Sequence, residues 1–149
     1  MINIYCKPFE ELSNLELYDI LSLREQVFIV EQSCPYQDAD GLDKSALHVS
    51  LYFDNDLAAY ARILPKGLSY NHYVAIGRVV SSPKYRGKGY GIKLFQKVME
   101  ISADRFPGQT IKLSAQTYIQ RFYQQFGFEA IGDVYLEDDI PHIAMVYKY

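Results

Sequence analysis

Residues 85–91 read Tyr-Arg-Gly-Lys-Gly-Tyr-Gly, directly after the apolar run IGRVV and the loop SSPK. Three glycines in five residues mean that the backbone turns sharply there or comes unusually close to a neighbour. A glycine-rich turn between a strand and a helix presents free backbone N–H groups at the positive end of a helix dipole, which is the chemistry of phosphate binding. Two common phosphate loops fail on spacing. A Walker A loop needs Ser or Thr after Gly-Lys, where this chain has Gly89, and the last glycine of a dinucleotide fingerprint would fall on Ile92. A phosphate-bearing ligand of another kind is expected.

Other side chains are candidates for proton transfer or recognition. His48 and His142 titrate near neutral pH if exposed, so each is a candidate base and acceptor contact as well as a candidate structural histidine. Glu31, at the end of VFIVEQ, either takes a proton from a substrate or pairs with Arg24. Arg24 itself sits among Leu17, Ile20, Leu21, Val27 and Phe28 on one helical face, and a guanidinium there needs an anionic partner if it is buried. Asp38, Asp40 and Asp43, with the acids of LEDDIPHI, point to an amine-bearing small molecule as acceptor.

These residues must be positioned by regular elements. Strands are predicted over 2–6, 47–53, 57–64, 73–80, 111–116, 129–136 and 143–147, and helices over 12–30, 91–104 and 118–126. Gly77 inside the fourth strand predicts a bulge or close backbone approach, Gly127 a helix C-terminus, and EDDIPH the connection of the last two strands. The order βαβββαβαββ makes one α/β domain, which 149 residues suffice to fill. No apolar run approaches the roughly 18–20 residues of a membrane span, and MINIYCKPFEEL lacks the features of a secretion signal. A cytoplasmic, membrane-free protein is expected. The net charge of −3 and the lack of a basic block disfavour nucleic acid as a partner. Cys6 and Cys34 stand alone, without metal-ligand spacing, so neither a disulfide framework nor a metal is expected.

The pattern Arg86-x-x-Gly89-x-Gly91 after Val79-Val80 resembles the acetyl-CoA pyrophosphate loop of the GNAT N-acetyltransferases. Downstream, Phe122-Tyr123 stands four residues before Gly127-Phe128, as in that family. The blocks LREQVFIVEQSCPYQDADGLD, AYARILP, IGRVVSSPKYRGKGYG, SAQTYIQRFYQQFGF and VYLEDDIPHIAM are similar to its ElaA-like branch and cover most of the chain from Leu23 to Met145. The resemblance implies a GNAT fold: a mixed central sheet of about seven strands flanked by helices, with two parallel central strands splayed apart. It implies acetyl-CoA as co-substrate, its pantetheine arm on the backbone of Val79, Val80 and Ser81 and its pyrophosphate on Arg86, Gly87, Lys88, Gly89, Tyr90 and Gly91, with Gln116 and Tyr123 also contacting it. Tyr123 becomes the expected general acid, Glu31 and His142 the candidate bases, and Arg24, Glu31, Asp40, His48 and His142 the candidate acceptor contacts. A non-catalytic acyl-CoA-binding module is the alternative, and an acyl-homoserine-lactone-synthase-like transfer fits the short chain less well. Tyrosine-rich edges and an exposed last strand favour a homodimer.

Overall fold

The computed structural model describes all residues, Met1–Tyr149. Seven strands form one sheet: β1 (Ile2–Pro8), β2 (Leu47–Phe53), β3 (Asp56–Leu64), β4 (Val74–Ser81), β5 (Ile111–Gln116), β6 (Glu129–Glu137) and β7 (Ile140–Tyr147), in the order β1-β2-β3-β4-β5-β7-β6. The helices are α1 (Asn14–Arg24), α2 (Tyr90–Arg105) and the short α3 (Gln120–Gln124). Only β4 and β5 run parallel; the other neighbours are antiparallel, so the sheet is mixed.

The first helix departs from the expected continuous segment. It begins at Asn14 because Ser13 and Glu16 form a reciprocal capping box, with Glu16 N–H donating to Ser13 Oγ at 3.1 Å and Ser13 N–H to Glu16 Oε1 at 2.9 Å. After Arg24 the winding loosens, and Glu25–Glu31 is π-helical, a form that recurs at functional sites. The helix expected over 118–126 is a 3-10 turn at Thr117–Ile119 followed by α3. α3 ends at Gln124, three residues before the expected stop, and the chain turns through Gly127, whose φ is 95° and where an added Cβ would lie 2.9 Å from the Tyr147 ring. The last hairpin is tighter than expected: β6 and β7 enclose only Asp138 and Asp139, both at positive φ.

The main core lies between the sheet and α2, where Phe95 packs against Phe122, Tyr123, Phe126 and Phe128 with ring centroids 4.8 to 6.0 Å apart. A smaller cluster of Ile20, Leu23, Val27, Tyr60 and Val80 seats α1 on the sheet. No helix is long and apolar enough to cross a membrane.

Arg24 belongs to neither cluster energetically. It is fully buried, donating from Nε to Asp38 at 2.8 Å and from Nη1 to Asp43 at 2.7 Å. Arg62 of β3 donates to the same Asp43 oxygen at 2.9 Å and to Asp40 at 2.6 and 2.9 Å. Arg78 of β4 donates to Asp38 at 2.8 Å. Burial raises the Asp40 and Asp43 carboxyl pKa values, but the hydrogen bonds from the arginines outweigh it and hold both below the ordinary aspartate range. Removing one member of a buried pair strands the other's charge, at a cost of about 3–5 kcal/mol. Arg24→Ala is expected to lower Tm by roughly 10 °C, measured by thermal unfolding; a shift within about 1 °C contradicts the network's weight. Because the two carboxyl values are depressed, the stability they contribute is present above the unfolded aspartate pKa of about 3.9. It is lost as pH falls through the folded values. Tm is therefore expected to be nearly flat from about pH 5 to 8 and to fall below about pH 4.

Candidate active site

The glycine cluster closes the junction of β4 and α2. Gly87 and Gly89 have φ of 82° and 79°, the left-handed region that favours glycine. Gly91 serves a different purpose: a Cβ there would lie 3.2 Å from Ser81 Oγ, so the first turn of α2 sits directly on the end of β4. No side chain caps α2 at Gly89, which leaves the N–H groups of its first turn for a ligand. Two glycines shape the turn and the third allows close packing. Together they leave backbone N–H groups at a helix N-terminus, a geometry suited to an anionic group.

Beside this loop the sheet opens. The parallel strands β4 and β5 pair only at Val74↔Ile111 and Ala75↔Lys112. Beyond them β4 carries a bulge: Tyr60 faces Val80 and Arg62 faces Gly77, so Arg78 and Val79 stand against the single residue Ala61. The positive φ of the bulge, 52°, falls on Arg78 rather than on Gly77. A cavity of about 970 Å³ fills the opening, a size suited to a cofactor-sized ligand.

Of the residues singled out in the sequence, Val79, Val80, Ser81, Arg86, Gly87, Gly91, Gln116, Tyr123, Glu31 and His142 line this one cavity. Lys88, Gly89 and Tyr90 do not; Lys88 Nζ lies 5.7 Å from the Tyr85 ring centroid and Tyr90 stacks on Phe53. Arg24, Asp40 and His48, expected at the acceptor, also lie outside the lining. Arg24 and Asp40 are consumed by the ion-pair network. His48 is 1% exposed, its ring nitrogens 2.7 Å from Tyr60 Oη and 2.8 Å from the Asp43 carbonyl, and burial lowers its pKa. It is a satisfied structural histidine.

Tyr123 is buried among Phe95, Phe122 and Phe128. Burial, and secondly Tyr118, push its phenol pKa up, which keeps the O–H protonated at neutral pH. His142 Nδ1 lies 2.7 Å from the Ile140 carbonyl, and its Nε2 lies 3.4 Å from Glu137 Oε2. Glu31 pairs with Arg86, not with Arg24: the two make a bidentate contact at 2.7 and 2.9 Å. Those hydrogen bonds hold the Glu31 carboxyl below the usual range. Gln32 and Gln116 exchange two long amide hydrogen bonds, at 3.3 and 3.5 Å, across the cavity.

The sequence reading did not single out Arg62, Arg78, Tyr36 or Tyr70, which also line the cavity. Arg78 carried a signal of the same kind as Arg24, a cation inside the apolar run IGRVV. Cys34 is buried in the lining with Sγ 3.3 Å from the Asp138 carbonyl, and both cysteines are free. No cluster of His, Cys, Asp or Glu is arranged to hold a metal ion.

Residues 16–149 match the family model described as an acetyltransferase (GNAT) domain. Protein ElaA of Escherichia coli (strain K12) is 45% identical over 137 residues, 91% of this chain and 89% of that protein. Its crystal structure superposes with a TM-score of 0.93 at 41% identity, covering 99% and 100% of the two chains. An acyl-CoA N-acyltransferase from Pseudomonas aeruginosa gives a TM-score of 0.90 at 41% identity over 97% of this chain and 99% of that one. An aminoglycoside 6'-N-acetyltransferase complexed with coenzyme A shares the fold at 16% identity, with a TM-score of 0.72 over 97% and 96% of the two chains. With a seven-stranded mixed sheet, splayed central strands and a family match over nearly its whole length, this chain belongs to the GNAT acetyltransferase family and is an ElaA-like acyltransferase.

Proposed function

We propose that this protein transfers an acetyl group from acetyl-CoA to the primary amine of a small cationic acceptor, by direct attack with both substrates bound. The observation that carries the reading is that Gly87 and Gly91 of the glycine loop, Tyr123 and His142 all border one cavity. Bound acetyl-CoA supplies the activated thioester. The N–H groups of Gly87 and of the first turn of α2 hold the pyrophosphate, and the backbone of Val79, Val80 and Ser81 takes the pantetheine arm. A backbone N–H at the bulge donates to the thioester carbonyl oxygen as it gains charge. The C–N bond forms as the C–S bond breaks, Tyr123 gives its phenolic proton to the departing sulfur, and His142 Nε2 takes the proton the amine loses.

The preference for a cationic acceptor is supported by which acids remain free. Asp38, Asp40 and Asp43 are matched by Arg24, Arg62 and Arg78. Glu31 is matched by Arg86. Glu137 and Asp138 are the carboxylates left in the lining, with only His142 near Glu137, at 3.4 Å. The pairing of Glu31 with Arg86 also makes Glu31 a competitor for the cofactor: one guanidinium edge serves a carboxylate or a phosphate.

Release of free coenzyme A thiol from acetyl-CoA, measured with pooled polyamines, amino acids, aminoglycosides and short peptides, tests the transfer; binding of coenzyme A without turnover on any pool would favour a non-catalytic binder. Tyr123→Phe is expected to lower kcat by about 10²–10⁴-fold with coenzyme A affinity unchanged, and turnover equal to the parent at every pH would remove its acid role. Glu31→Gln, read by calorimetric titration with coenzyme A, is expected to tighten binding several-fold by releasing Arg86. Weaker binding would contradict the competition.

A further inference from the structure

The side chain of Arg78 is used by no step above, yet it is tightly held. The residue occupies a left-handed conformation, φ 52°, although its neighbour Gly77 stands in no such conformation. A non-glycine residue persists there only when its surroundings over-determine it, a situation that clusters at functional sites. What holds Arg78 is one segment of chain. Its Nε donates to Asp38 Oδ1 at 2.8 Å, and its Nη2 to the Asp38 carbonyl at 3.0 Å and Asp40 Oδ2 at 3.4 Å. The guanidinium also lies 5.9 Å from the Tyr36 ring centroid. Asp38 is gripped from its other side by Arg24, at 2.8 Å on the second carboxylate oxygen and 3.2 Å on the same carbonyl. Arg78 and Tyr36 both line the cavity, and residues 32–41 carry no strand or α-helix that would stiffen them.

We propose that Arg78 is a positioning residue for the acceptor: the β4 bulge aims its guanidinium at residues 36–40, and that clamp fixes Tyr36 as a wall of the acceptor end. The inference rests on reading the cavity as the reaction site. The bulge and the clamp separate the two substrates' dependence on this residue. Cofactor binding needs the backbone of β4, which a glycine at position 78 preserves, whereas acceptor binding needs the guanidinium, which it deletes.

The test is hydrogen–deuterium exchange on wild type, Arg78→Gly and Arg78→Lys, with coenzyme A affinity measured on each. In Arg78→Gly, exchange of residues 33–41 is expected to rise tenfold or more while 74–81 stays protected, and coenzyme A binds within twofold of wild type. Millimolar methylguanidinium, filling the space of the lost head group, is expected to restore protection of 33–41. With saturating acetyl-CoA and propylamine varied, the loss falls on KM for the amine and not on kcat. Arg78→Lys keeps the charge without the fork and gives an intermediate loss of protection; it decides the matter if the glycine variant does not fold. Unchanged protection of 33–41 in the folded variants, or loss confined to 74–81, overturns the clamp. Failure of wild type to bind coenzyme A overturns the reading of the cavity instead, and the exchange result on the free protein stands apart from it.

Discussion

The structure around the cavity depends on six charges brought together at the edge of the core, of which Arg24, Arg62 and Asp43 are buried. Arg24, Arg62 and Arg78 come from α1, β3 and β4, and the aspartates 38, 40 and 43 come from one irregular segment. Taking these groups out of water is unfavourable, and only mutual pairing with nearly complete hydrogen bonding makes the arrangement tolerable. One orphan remains, the buried Nε of Arg62. Such a network adds little net stability compared with an apolar core of the same size, but losing one member leaves its partner's charge uncompensated. These pairs tie a segment without regular structure to α1, β3 and β4.

That fixity reaches the chemistry through β4. The bulge at Arg78 turns the strand away from β5 after two residues of pairing, and the resulting gap is the cavity. The π-helical turn after Arg24 acts from the other side, ending at Glu31 where the carboxylate meets Arg86 of the glycine loop. The glycine loop and the cavity beside it are thus bordered by departures from ideal geometry, the β4 bulge and the π-helical turn, each carrying a paired charged side chain. Regular elements supply the frame, and irregular ones supply the site.

Much of this was legible in the residues. The glycine loop announced itself by spacing, α2 by its amphipathic stripe, and Gly127 by its place after an apolar segment; each is a local signal with a local cause. The element order followed from the same kind of signal. The π winding after Arg24 left no mark in the 3.6-residue period, since Val27 faces inward in either form. Gly77 pointed to a bulge, but the strained φ went to Arg78, because contacts from residues 38 and 40 outweigh a local preference. Asp40 and His48 looked available to a substrate because partners 22 and 12 residues away cannot be seen in sequence.

The central claim is that one cavity holds both substrates across the splayed strands, with Tyr123 at the point of transfer. Its most direct test is a crystal structure with a bisubstrate analogue, coenzyme A joined through sulfur and an acetyl bridge to one nitrogen of a short diamine. The account predicts the pyrophosphate on Gly87 to Gly91, the sulfur within hydrogen-bond reach of the Tyr123 hydroxyl, about 3.5 Å for a sulfur acceptor, and the amine chain running toward Glu137 and Asp138. A sulfur remote from Tyr123, or an amine chain leaving by another face of the sheet, would contradict it.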